Sequence, residues 1–240
     1  MGIYLLNRLA GGRHVLLLPL RNDDRPVPKV VFAPNPTPDD YVVVAICDLR
    51  RLVYTKTRDM KWMVLDVAIG ERDRFVDLTY DTKTGKRRRP VVEPLQQADR
   101  AIDGLPFDPA AAYTPSYDTT SKFTSVKNVF FFGGDLYQVW RNTTSTVSWA
   151  TPGGGQFGMA KDEIVVLKYA PDRRPCWDAV KDLGGHSVFI GKNHPVVLRP
   201  EDAPAAVRAN CVYWINEQLR NEPMVFDMEP QLFIPPPSKH

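Results

Sequence analysis

The chain has 240 residues, 43% of them hydrophobic and 25% charged, enough apolar material to bury a sizeable core, which excludes wholesale disorder. Its 31 basic and 28 acidic residues leave a net charge of +3, too even a balance for a general nucleic-acid footprint, so nucleic acid is not an expected partner. The longest apolar run, Tyr41–Cys47, falls far short of the roughly 20 residues that span a bilayer, and no signal-type segment opens the chain, so no membrane partner is expected either.

In chain order, short runs rich in Val, Ile, Phe and Tyr alternate with turn formers. They are KVVFAP from Lys29, YVVVAICD from Tyr41, RLVYTK from Arg51 and KWMVLDV from Lys61, then NVFFFGGDLYQVW from Asn128 and EIVVLKYA from Glu163. HSVFIG from His186, HPVVLR from His194, CVYWIN from Cys211 and MVFDM from Met224 complete the series. β-Branched and aromatic residues between Pro, Gly, Asn and Asp mark strands, and the 22 prolines fall mostly between the runs. One stretch, RPEDAPAAVRAN from Arg199, reads as a helical turn, with Pro204 in its middle.

Two echoes narrow the all-β options. LVYTKTRDMKW, ending at Trp62, and VLKYAPDRRPCW, ending at Trp177, share an apolar strand, a charged turn and a Trp-led strand. The segments from Asn128 and from His186 each place glycine between two strands. Hairpin units recurring at this scale point to four-stranded propeller blades of roughly 40–50 residues. The middle breaks the rhythm: residues 81–127 are poor in strand signals and rich in Pro, Ala, Asp and Thr, and read as a poorly structured insertion in a single domain covering 1–240.

The chemical motifs are thin. Gly153, Gly155 and Gly158, followed by Lys168, fit G-x-G-x-x-G, but no catalytic-loop or metal-binding Asp and Asn follow as phosphoryl transfer requires, and the strand–helix context of a dinucleotide fold is missing. The stretch reads as a glycine turn. His186 and His194 stand eight apart without a third ligand, and His14 and His240 read as surface residues, so no metal is expected. Asp39 with Asp40, and Asp162 with Glu163, sit among turn formers and read as turn carboxylates. Cys47, Cys176 and Cys211 lie in apolar surroundings without metal spacing and read as reduced, buried thiols of an intracellular protein, cytoplasmic, nuclear or both. The sequon at Asn142 has no meaning in that setting. Lys86, Arg87, Arg88 and Arg89 form the one concentrated charge run, a candidate nuclear-import or anion patch whose plainer reading is a solvated turn.

A resemblance goes beyond patterning. Asp178–Glu217 with VFDME from Val225, together with Tyr4–Leu20, Lys29–Ile46 and Phe130–Arg141, resembles in order the segments of the plant F-box-associated β-propeller family of the KIB type. The resemblance implies an all-β, kelch-like propeller, here partial or irregular, with about four to five antiparallel blades and an N-terminal truncation relative to the family. It also implies a non-catalytic protein-interaction domain like the substrate-recognition propeller of ubiquitin-ligase receptors. The resemblance does not extend to an F-box, so a Skp-type adaptor is not among the expected partners. The expected protein is a monomer with an unknown protein target, no catalytic residues and no cofactor. Two alternatives stand beside this reading. One is a hydrolase or transferase with His186, Asp135 and Asp172 converging in a propeller channel. The other is a nuclear or nucleic-acid-associated protein using Lys86–Arg89.

Overall fold

The structure is a computed structural model describing residues 4–6, 14–16, 27–33, 36–37, 39–71, 74–80, 124, 126–150, 156–172, 176–191, 194–216 and 221–228. Every regular element among them is a strand. The chain divides into two compact units, residues 1–96, 127–136 and 192–194 in one, and 97–126, 137–191 and 195–240 in the other.

The first unit opens with a two-stranded ribbon, β1 (Tyr4–Leu6) paired antiparallel with β2 (His14–Leu16). A four-stranded meander follows: β3 (Lys29–Phe32), β4 (Val42–Cys47), β5 (Arg51–Lys56) and β6 (Met63–Leu65), hydrogen-bonded in sequence order. The uninterrupted apolar run of β4 is explained by burial on both faces. Ile46, Leu52, Tyr54 and Leu65 form one cluster, covered by Phe75 and Leu78, and Ala45, Cys47 and Val53 form another, against which Val27, Val30 and Trp62 pack. The β4–β5 hairpin turns through Asp48 (φ 52°) and Leu49 (φ 66°). Two left-handed residues match the strand twist, but a leucine pays a steric cost there that glycine would avoid.

A second meander has the order β12-β11-β8-β7, from β7 (Val126–Phe132), β8 (Asp135–Arg141), β11 (Ile164–Tyr169) and β12 (Trp177–Val180). Gly133 and Gly134, both at positive φ, make the tight turn read from the sequence. Between β8 and β11 the chain makes a separate ribbon, β9 (Val147–Ala150) with β10 (Gln156–Met159). Trp177 is buried and its ring lies 5.0 Å from that of Tyr169, its cross-strand partner.

The third four-stranded sheet, from β13 (Ser187–Phe189), β14 (Val196–Leu198), β15 (Cys211–Asn216) and β16 (Glu222–Asp227), has the order β14-β13-β15-β16. Here β13 pairs parallel with β15, a pairing the sequence does not disclose in a chain read as antiparallel blades. The cause lies in residues 199–210, which form turns and no helix. Pro200 and Pro204 withdraw two backbone donors from any helix there. The segment is then pinned: Asn210 Oδ1 accepts the N–H groups of Leu183 (3.1 Å) and Gly185 (2.9 Å), and Ser187 Oγ donates to the Arg208 carbonyl at 2.7 Å. β15 is thereby delivered to the free side of β13.

Candidate functional site

In the sheet β14-β13-β15-β16, residues directly opposite one another share a face. Val197, Val188, Val212 and Phe226 form one row across the four strands, and Val188 and Val212 are fully buried. Val196, Phe189, Tyr213 and Val225 form the adjacent row on the other face. There Phe189 and Tyr213 stack with ring centroids 4.7 Å apart at 10°. Val196 is 51% exposed and Val225 41%, and Ile215, two residues beyond Tyr213 and opposite Pro223, is 51% exposed. A stacked aromatic pair flanked by exposed aliphatics is an apolar surface turned to solvent. Its lower end is fixed: the Tyr213 hydroxyl accepts the Arg208 N–H at 2.8 Å, and Arg208 Nη1 lies 3.3 Å from Asp227.

The covered face is anchored by Trp214, against whose ring Arg141 stands at 5.0 Å. Arg141 also pairs with Asp162 at 3.0 Å, and burial draws its guanidinium below the usual value while Asp162 opposes that shift. Next to it, fully buried Asn142 ties the base of the β9–β10 ribbon. Its Nδ2 donates to the carbonyls of Ser145 (3.0 Å), Met159 (3.3 Å) and Ala160 (3.0 Å), and its Oδ1 accepts the Thr144 N–H at 3.1 Å. The sequon side chain is thus spent inside the fold.

The other sequence candidates are placed as follows. His186 Nδ1 lies 3.0 Å from the carbonyls of Leu183 and Gly184, within its own turn. Asp135 opens β8 and Asp172 lies exposed in the turn after β11. Gly158 is a β10 residue paired with Ser148, Lys168 sits on β11 with its Nζ 5.9 Å from the Tyr137 ring, and Gly153 and Gly155 lie outside the described residues. Asp40 and Thr37 exchange backbone hydrogen bonds in a turn, Asp162 stands at φ 62°, and Glu163 accepts the Ala160 N–H at 2.6 Å. Burial pushes the Glu163 carboxyl up from its ordinary value, against that hydrogen bond. Lys86–Arg89 and His240 lie outside the described residues, and His14 is a β2 residue. Cys47, Cys176 and Cys211 are buried thiols. Among the described residues no group of three His, Cys, Asp or Glu could hold a metal ion.

One group went unread in the sequence. Asp77 lies in the first unit with its side chain almost wholly buried, 2.7 Å from Lys29 Nζ. Burial pushes its carboxyl up from the ordinary value, against the pull of Lys29 and of the Val129 and Leu78 N–H groups. Burial and Lys29 hold His194 below its usual value, while Asp77 draws it the other way. The available signal was a lone Asp within the apolar run Phe75–Leu78, paired with a Lys opening the run Lys29–Phe32.

With sheets and site in place, the comparison with known families is decisive, because the profile of the KIB1-4 β-propeller family matches residues 1–228. The chain belongs to the KIB1-4 β-propeller family. No curated protein and no solved structure matches it. Family membership and the all-strand architecture of small sheets together establish the β-propeller fold read from the sequence. They support a protein-interaction role at the level of the domain type.

Proposed function

We propose that this KIB1-4 propeller is a non-catalytic recognition domain that binds a protein target on the bare face of the sheet β14-β13-β15-β16, in the manner of the substrate-recognition propellers of F-box receptors. The observation that carries this reading is the row Val196, Phe189, Tyr213 and Val225, a stacked aromatic pair bordered by exposed aliphatics. Aromatic anchors within an apolar patch are the residues that dominate protein–protein binding energy. The domain acts as a monomer in the cytoplasm, the nucleus or both.

Affinity purification of the tagged chain from plant cells, with mass spectrometry, tests the proposal. The double variant Ile215→Glu/Val225→Glu is expected to lose the specific partners by tenfold or more, while Met60→Glu, a substitution at an exposed turn of the other unit, retains them. Equal recovery by all three proteins would remove the sheet face from consideration. Recovery of a Skp-type adaptor with the target would extend the role to a ligase receptor; its absence would confine the chain to target binding.

A further inference from the structure

Asp77 joins three pieces of chain that the sequence keeps apart. Its carboxylate accepts from Lys29 Nζ of β3 at 2.7 Å, from the Leu78 N–H at 2.8 Å and from the Val129 N–H of β7 at 2.6 Å. Asp77 and Val129 are 52 positions apart. The Lys29 and Asp77 side chains retain only 5% and 3% of their exposure, so neither charge has water as a substitute partner. Among the described residues the His194 imidazole lies in their field, held below its usual value by burial and Lys29 and drawn the other way by Asp77.

A buried ion pair contributes little net stability compared with an apolar pair of the same volume, yet losing one partner strands the other charge at high cost. Such a contact is all-or-none, unlike the apolar packing of Phe75 and Leu78 on the β4–β5 cluster beside it. The β4–β5 hairpin has a separate basis for its stability: six paired residues in register and two buried faces. We infer that Lys29 and Asp77 form a conformational latch, which fastens the chain before and after residues 81–123 onto β3 and opens without unfolding β4 and β5. The latch stands independently of the recognition face proposed above.

Hydrogen–deuterium exchange on the purified full chain tests this. Asp77→Asn and Lys29→Met are each expected to speed exchange at the Val129 and Leu78 amides at least tenfold, with Val44, Ala45 and Val53 of β4 and β5 unchanged. The double variant Lys29→Met/Asp77→Asn removes both charges and retains an amide oxygen as acceptor, so exchange at Val129 is expected to return toward the wild-type rate. Unchanged exchange at Val129 in the single variants would overturn the latch, as would equal acceleration throughout β4 and β5. Should the single variants fail to fold, the double variant decides: protection at Val129 supports the latch, and loss of protection there or failure to fold overturns it.

Discussion

The sheets β3-β4-β5-β6 and β14-β13-β15-β16 have equal strand number and opposite surroundings. The first packs apolar residues on both faces, with Phe75 and Leu78 covering one and Val27 and Trp62 the other. The second buries Val188 and Val212 and turns Val196, Ile215 and Val225 to solvent. Both are written in the same residues, Val, Ile, Phe and Tyr. A strand's composition therefore states that it belongs to a sheet and leaves open whether its second face is filled by the protein itself or by something that binds it.

The strongest way to break this contrast is to delete methyl groups on each side of it. Ile46→Ala, in the doubly covered sheet, is expected to cost about 3 kcal/mol, whereas Ile215→Ala stays within about 0.5 kcal/mol, as read from urea unfolding. The two faces of the third sheet can be separated in the same way. Val212→Ala is expected to cost about 2 kcal/mol and Val225→Ala much less; equal losses would mean that Val225 is covered after all. A smaller effect of opposite sign belongs to the β4–β5 turn. Leu49→Gly relieves a left-handed leucine and is expected to stabilise by about 1 kcal/mol, visible as a higher unfolding midpoint at unchanged slope.

The smallest effect is electrostatic and sharpens what full burial means for β4. Burial pushes the Cys47 thiol above its ordinary value of 9.0, with Arg51 opposing and Asp48 assisting. The folded chain therefore holds this proton more tightly than the unfolded chain does, so stability is unaffected below pH 9.0 and falls as the pH rises past it toward the folded value. Thermal melts from pH 8 to 10.5 should show a shallower alkaline decline for Cys47→Ala than for the wild type. An identical decline would assign the slope to other groups.

The recognition face was half legible. The runs at His186, His194, Cys211 and Met224 were each readable as strands, because alternating apolar residues between turn formers act over a few positions. Which residues face outward was not readable, since a one-residue change of register reverses every side chain and the register here depends on a parallel pairing of β13 with β15. The pairing of Asp77 was illegible for a related reason: a lone Asp in an apolar run is a local signal, but its partners Lys29 and Val129 lie 48 and 52 positions away and nothing local announces them. Glu163, in contrast, was legible as a turn carboxylate, because the Ala160 N–H that it accepts lies three positions away, whereas the reach of Asp162 to Arg141, 21 positions back, was not.

By itself the sequence determined the strands of the three four-stranded sheets, the glycine hairpin at Gly133 and Gly134, the paired Trp62 and Trp177 units and membership of the KIB1-4 family, all of which rest on short-range pattern, but not the ribbons β1–β2 and β9–β10, the second of which replaces part of the expected glycine turn. Tertiary structure alone decided that β15 lies beside β13, that Lys29 meets Asp77, and that one sheet keeps a bare apolar face. Those outcomes depend on which distant segments come together, and chain entropy over such separations is overcome by the sum of many contacts, which no local stretch of residues encodes.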